Sequence, residues 1–488
     1  MSTTHASPLA PDWLTVPENF SDLERPNTPR LFPRSARRDP SGQLVLGGVS
    51  VETLARTYGT PIYVIDEDEL RTRARAFKEA YDAAFSDLCG GADVYYAGKV
   101  LLTSDVVRWV TEEGLRIDTA SGGEMGLALA AGADPAHIGL HGNNKSDAEL
   151  RRAIDAGVGR IIADSLEEIE RINQIAGSRG ATAPVMLRLT PGVHASTHEF
   201  IATAHEDQKF GLSMTPRPGA ELSAAAQAVA QALEAENVEL IGLHCHIGSQ
   251  IFESAGFEEA ARRLLGFIAW VKETHGVELG ELDLGGGYGI AYTEADSPRE
   301  PHEIATGIAA VIREETERLG ITCPRISIEP GRSIAGPAGV TLYSVGTIKD
   351  VTVETEAGES AARRYVSVDG GMSDNARPVL YDADYSAILA SRTSHAPGVL
   401  SRVVGKHCES GDIVVRDVYL PNDVMRGDIL AVPATGAYCF VLSSNYNMLT
   451  RPGIVAVKDG KHRLIVRGET VDDLYARDLG LQDLGLQG

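Results

Sequence analysis

Residues 94–99 read Val-Tyr-Tyr-Ala-Gly-Lys: four residues that favour a buried strand, then a glycine turn that carries a lysine. The same grammar recurs down the chain. Short β-branched or apolar runs at 115–117, 138–140, 160–163, 185–189, 240–246, 282–284 and 325–328 make eight with the first. Amphipathic stretches lie between them, at 121–131, 146–156, 165–176, 221–234, 257–274 and 302–319. Three of these open on a Ser-x-x-Glu box: Ser121/Glu124, Ser146/Glu149 and Ser165/Glu168. In such a box the serine accepts from an orphan helix N–H and the glutamate reaches back. Eight strands alternating with helices predict an α/β fold, a parallel (β/α)8 TIM-like barrel. A doubly wound open sheet is the rival.

Beyond about residue 335 the pattern changes. Runs at 340–345, 364–368, 413–418, 429–432, 454–457 and 464–466 are short, rich in Val and Ile, and bounded by Gly, Asp or Pro. They predict a C-terminal antiparallel β-domain. Residues 471–479 read as a short helix that stops at Gly480. Upstream of the barrel, a helix is expected over 51–58 and a strand over 62–65. Pro8, Pro11, Pro17, Pro26, Pro29, Pro33 and Pro40 exclude a packed helix or central strand, so residues 1–30 are expected to form a flexible arm.

Composition bounds the function. The chain has 488 residues, 43% of them hydrophobic, which supports a sizeable core and excludes disorder of the whole chain. Its 51 glycines follow no G-X-Y period. The net charge of −23 argues against a general nucleic-acid binder. Five cysteines, Cys89, Cys245, Cys323, Cys408 and Cys439, are odd in number, widely spaced and without a CxxC, which predicts free thiols in a reducing compartment and disfavours a zinc ribbon. No apolar run approaches the ~18 residues of a membrane span, and no secretory signal is visible. A cytoplasmic protein with no membrane partner is expected.

In a (β/α)8 barrel, chemistry gathers at the C-terminal ends of the strands. There Lys99 can condense with a carbonyl, or be a surface lysine at a loop start. The sixth run ends His244-Cys245-His246-Ile247-Gly248-Ser249-Gln250, whose two imidazoles share a strand face. They suit a metal pair without an evident third ligand, or an imidazole stacked on a planar ring with Gly248-Ser249 donating to an anion. Gly285-Gly286-Gly287 lets backbone N–H groups close on a phosphate, or makes only a tight turn; its spacing is not the dinucleotide fingerprint. Glu329-Pro330-Gly331-Arg332 offers an acid for a ring nitrogen and a guanidinium for an anion, or a buried staple. A lysine, a stacking ring, two anion cradles and an acid together match pyridoxal 5'-phosphate: an aldehyde, a planar ring, a phosphate and a pyridine nitrogen.

With these motifs, the chain resembles the fold type III pyridoxal-phosphate decarboxylases, alanine racemase-like in architecture, and among them the diaminopimelate decarboxylase family. Cys408-Glu409-Ser-Gly-Asp and Gly436-Ala-Tyr438 complete the set, and the likeness spans about residues 30–475. It implies a (β/α)8 barrel over 61–335, a β-domain over 336–475, residues 31–60 packing with that β-domain, and a tail at 476–488. It implies a homodimer with shared active sites. Lys99 would hold the cofactor and His246 would stack on it. Ser249, Gly286, Gly287, Glu329, Gly331 and Arg332 would bind its phosphate and ring nitrogen. Arg332, Arg377 and Tyr381 would take the substrate's distal carboxylate. Cys408, or else His246, would donate the proton, Glu409 would bind the distal ammonium, and Tyr438 would lie near cofactor or substrate. Asp118 and Glu124, which follow the second strand, would contact the ring or its histidine. No metal is implied.

The resemblance implies decarboxylation of meso-2,6-diaminopimelate to L-lysine and CO2, the last step of lysine biosynthesis. The rivals are a decarboxylase of ornithine, arginine or carboxynorspermidine, an amino-acid racemase, and a non-catalytic relative that binds the cofactor. One departure is visible: Lys99-Val100-Leu101 stands where many relatives have Lys-Ala-Asn. The polar stretch 197–211 is expected to be a lid.

Overall fold

The computed structural model describes residues 7–24, 28–192, 209–355 and 358–483. The chain divides into two units: residues 71–289 with 298–334, and residues 1–70, 290–297 and 335–488.

In the first unit the strands Ala92–Ala97, Arg116–Thr119, Ile138–Leu140, Arg160–Ala163, Ala183–Thr190, Val238–His244, Glu281–Asp283 and Arg325–Ile328 pair in parallel. Ile326 opposite Ala92 joins the last strand to the first, so the sheet closes and the open-sheet rival is excluded. The barrel is held by apolar side chains such as Val94, Ile117, Ile161, Leu187, Leu243, Leu282 and Ile326, each at most 1% exposed. Leu212–Ser213 adds a short parallel strand beside Ala183–Thr190.

Of the three expected capping boxes, Ser146/Glu149 is complete. Ser121 and Ser165 do cap their helices, but Glu124 and Glu168 reach one residue further back, to the N–H groups of Ala120 and Asp164. Glu168 also meets the buried ammonium of Lys145 at 3.1 Å, which draws it inward. Gly157, Gly276 and Gly320 end their helices in the left-handed conformation.

Free thiols were expected throughout, but Cys89 and Cys323 form a disulfide with Cα atoms 4.7 Å apart. Cys245, Cys408 and Cys439 are free. Each paired cysteine shortly precedes a barrel strand, the first and the eighth, and those strands lie side by side. Closure brings together residues 234 apart, which linear spacing does not reveal.

The second unit is built on the strand Gly339–Glu354. It pairs antiparallel with Ser360–Val368, Ile429–Pro433 and Ile62–Asp66. Gly398–Val404 and Ile413–Pro421 extend the sheet on one side, Ile454–Lys458 and Lys461–Val466 on the other. The sheet is mixed and not wholly antiparallel: Ser360–Val368 runs parallel to Gly398–Val404, and Ile62–Asp66 parallel to Ile454–Lys458. The strand Ile62–Asp66 therefore belongs here and not to a barrel domain starting at residue 61. All its residues are buried because it lies between two neighbours. The expected flexible arm is packed where it is described. Leu14 sits against Leu400 and Tyr419, with Leu9, Trp13, Val16 and Phe20 around them. The segment folds through tight turns, such as those closed by Ala10 N–H on Ser7 and Leu14 N–H on Pro11, and the apolar residues between its prolines supply the burial. The C-terminal helix expected over 471–479 is two short turns, Val471–Tyr475 and Leu479–Asp483. Among the described residues no helix is long and apolar enough to cross a membrane.

Asp374 is the buried polar hub of this unit. Its carboxylate accepts from the Tyr343 hydroxyl and from the Gly371 N–H at 2.8 Å, and its carbonyl accepts from the Tyr63 hydroxyl. Burial pushes its carboxyl up to about 7. A raised folded-state value means that the folded chain holds a proton which the unfolded chain has released. Asp374 thus stabilises the fold most below pH 4 and loses that contribution as pH rises to 7, on the order of a few kcal/mol. Asp374→Asn should flatten the decline of stability between pH 4 and 7 in urea titrations; an unchanged slope contradicts the assignment.

Candidate active site

The C-terminal ends of the barrel strands carry the reactive side chains. Lys99 stands on the turn Gly98–Val100, exposed between two buried neighbours. His246 follows the sixth strand. Its Nδ1 accepts the Gly286 N–H at 3.3 Å, which fixes the ring against the glycine turn. Burial, with the Lys99 charge, holds His246 well below the usual histidine range, so it is neutral. Ser249 Oγ accepts from Arg332 Nη2 at 2.8 Å. Gly287 has φ +112, and a Cβ there would strike the Gly248 carbonyl. A Cβ on Gly331 would lie 2.7 Å from Val100 and 2.9 Å from Ala97. Both positions admit only glycine, and both bring backbone close to the mouth.

Glu329 directly follows the eighth strand and is 5% exposed. Its Oε1 lies 3.0 Å from His141 Nε2, 3.4 Å from His244 Nε2 and 3.8 Å from Arg160 Nη2. His141 Nε2 also lies 2.9 Å from Asp118 Oδ1. Burial opposes charge on both partners, but attraction wins. His141 is raised to about 9 by Asp118 and Glu329, and Glu329 is held well below the usual carboxylate range by the two imidazoles. Arg160, fully buried, donates to Ser327 Oγ at 2.8 Å, pairs with Asp283, and lies 3.6 Å over the Tyr95 ring. The contacts at Glu329 are ion pairs without hydrogen-bond alignment: Oε1 has no aligned donor. A buried, ionised carboxylate oxygen with spare acceptor capacity suits a protonated ring nitrogen.

His141, His244 and Glu329 place one ligand atom each within 4.8 Å, a set that could take a cation. A protonated His141 is no metal ligand, and the ion-pair network is the better account. His244, expected beside His246, faces Glu329 instead. His141 and Arg160 were not singled out from the sequence. His141 sits one residue beyond a strand end, so the rule that located Lys99 would have found it. Arg160 is a charge inside a barrel strand, which burial makes costly without partners. Glu124 is pushed up by burial, and its carboxylate accepts the Ala120 N–H at 2.7 Å.

The remaining expected residues lie in the second unit. Arg377 opens the helix Arg377–Tyr381 and is buried, not a surface arginine. Its guanidinium donates to the Tyr385 hydroxyl at 2.7 Å and lies 4.5 Å from the Tyr292 ring centre. Tyr381, one turn on, is 43% exposed. Cys408 and Glu409 are exposed between the strands Gly398–Val404 and Ile413–Pro421. Tyr438 is half-buried with φ +66, a strained backbone that ordinary residues avoid and functional sites retain. The expected lid at 197–211 lies, up to residue 208, outside the described residues.

Residues 67–336 match the family described as pyridoxal-dependent decarboxylase, pyridoxal binding domain. The diaminopimelate decarboxylase of Mycobacterium tuberculosis H37Rv is 50% identical over 92% of this chain and 98% of its own. That of Bacillus subtilis is 41% identical over 91% and 97%. The chain belongs to the diaminopimelate decarboxylase family. Among solved structures, the diaminopimelate decarboxylase of M. jannaschii in complex with L-lysine matches with a TM-score of 0.82, at 31% identity, over 91% of this chain and 98% of that one. The Helicobacter pylori enzyme complexed with L-lysine matches at 0.77, with 28% identity, over 89% and 100%. Pyridoxal phosphate is the family's cofactor, and the barrel mouth fits it: an exposed amine, a neutral ring, glycine backbone and one ionised acid with acceptor capacity to spare.

If His141 sets the charge of Glu329, His141→Gln should move the acid limb of the kcat/KM profile upward by on the order of one pH unit. An acid limb that stays in place contradicts that coupling.

Proposed function

We propose that this chain decarboxylates meso-2,6-diaminopimelate to L-lysine and CO2, as a cytoplasmic homodimer with shared active sites. The observation that carries this reading is the buried, ionised Glu329 at the mouth of a barrel that also presents Lys99 and His246. Pyridoxal phosphate, when bound, supplies a protonated ring that accepts the electron pair of the breaking Cα–carboxylate bond.

The chain supplies position and charge. Lys99 would hold the cofactor through its aldehyde carbon. His246, neutral and pinned through Nδ1, packs on the ring face without adding charge there. Glu329 keeps a proton on the ring nitrogen, and His141 keeps Glu329 ionised. Gly286, Gly287, Gly331 and Ser249 hold the phosphate, with Arg332 oriented by Ser249. Arg377, Tyr381 and Arg332 bind the distal carboxylate, and Glu409 the distal ammonium. Tyr438 borders cofactor and substrate. Cys408 delivers the proton that replaces CO2 at Cα, from the second subunit. The buried Arg377, charged among tyrosines, favours a substrate with a distal carboxylate over ornithine or arginine, which lack one.

Two measurements test this. Lys99→Ala should abolish the absorbance of lysine-bound cofactor and lower turnover more than about 10³-fold. A variant that keeps both is incompatible with the assignment. On a substrate panel, Arg377→Met should raise KM for diaminopimelate at least about tenfold with a smaller change in kcat. Efficient release of CO2 from ornithine by the unaltered enzyme would support the alternative substrate.

A further inference from the structure

Three segments of the second unit meet at His407: 372–373, 407–412 and 446–447. Its Nε2 lies 2.8 Å from Ser373 Oγ and its Nδ1 3.3 Å from Asn447 Oδ1. The same Asn447 oxygen accepts the Cys408 N–H at 3.1 Å. The His407 N–H donates to Asp412 Oδ2 at 2.8 Å, and Asp412 Oδ1 accepts the Met372 N–H at 2.6 Å. The imidazole stacks on Tyr446, with centroids 5.3 Å apart and planes 20° apart. Because Asn447 Oδ1 is an acceptor for Cys408, the nitrogen of His407 that faces it is the one that donates, and Nε2 accepts from the Ser373 hydroxyl.

A serine, a histidine and an asparagine in this order look like a nucleophilic relay. Ser373 is only 3% exposed, and its hydroxyl is turned to the imidazole, so no substrate reaches it. The chain of bonds runs the other way, outward, and ends on the backbone of Cys408. Cys408 and Glu409 are exposed; among the described residues the Glu409 carboxylate reaches the neighbouring Ser410 Oγ and Gly411 N–H, each at 3.4 Å, and its carbonyl accepts the Asp412 N–H at 3.2 Å. Asn447 has φ +53, the left-handed conformation. This is a rigid support behind two exposed side chains.

We propose that His407 and Asn447 are positioning residues for decarboxylation, which fix the Cys408–Glu409 turn through the Asn447 carboxamide. The proposal rests on the reading of Cys408 as the proton donor. A thiol that must meet one face of one carbon loses rate steeply when displaced, up to about 10²-fold for 1 Å.

The test is a double-mutant cycle on the holoenzyme, with amide exchange on the chain free of cofactor. His407→Phe keeps the stack on Tyr446 and removes both side-chain bonds. Asn447→Gly keeps the left-handed backbone, removes the shared acceptor, and guards against misfolding of the first variant. Each should lower kcat about 10- to 100-fold while KM changes less than about threefold. In a Cys408→Ser background neither should lower kcat further, since a residue that acts through the thiol has nothing left to position. Exchange of the Cys408 amide, followed by mass spectrometry, should quicken at least about tenfold in Asn447→Gly. Equal losses in both backgrounds, or an unchanged amide, overturn the proposal. If Cys408→Ser itself keeps full kcat, the reading of Cys408 falls and the positioning proposal falls with it. If Cys408→Ser is impaired while the other two are not, only the positioning proposal falls.

Discussion

The barrel is organised around one buried carboxylate. Glu329 is removed from water, which by itself would leave it neutral, and it stays ionised chiefly because the charged His141 lies 3.0 Å from it. That imidazole is held in turn by Asp118 and by the packing of the barrel mouth. Arg160 and Asp283 extend the alternation of charge one layer deeper, and Arg160 is capped by the Tyr95 ring. A low-dielectric interior makes such a set costly to break and rigid when complete. It presents one acceptor of fixed charge where the strand ends meet.

The fold explains why that acceptor can be used. Closure of the eight strands brings Lys99, from the first, and Glu329, from the last, to adjacent strand ends. The glycines between them remove the side chains that would fill the space. The second unit works on a similar plan with different parts. Asp374 ties Tyr63, Tyr343 and the 371–375 segment together, and His407 reaches that segment through Ser373. In both units a buried polar network lies beside exposed residues of the candidate site.

The eight barrel strands were legible because each is a short apolar run between polar helices, a contrast that a local reading detects. The strand Gly398–Val404 was missed because Ser401-Arg402 interrupts its apolar run. The two parallel pairings of the β sheet were missed because strand direction depends on connections, which runs of Val and Ile do not encode. Lys99, His246, Glu329 and Arg332 stood out as chemistry placed at strand ends. Arg377 and Tyr438 did not, since burial of a guanidinium among tyrosines and a left-handed tyrosine are tertiary facts. His141 directly follows the third strand, Ile138–Leu140, and so sits where barrel chemistry gathers. The Cys89–Cys323 pair was hidden by a separation that only barrel closure cancels.

The central claim is that Glu329 is an ionised carboxylate that keeps a proton on the cofactor's ring nitrogen. Nitrogen-15 magnetic resonance of the holoenzyme loaded with ring-labelled pyridoxal phosphate reads that nitrogen directly. The account predicts a protonated nitrogen at neutral pH in the unaltered chain, and loss of that proton in Glu329→Gln. An unprotonated nitrogen in the unaltered enzyme, or a protonated one indifferent to Glu329→Gln, would contradict it.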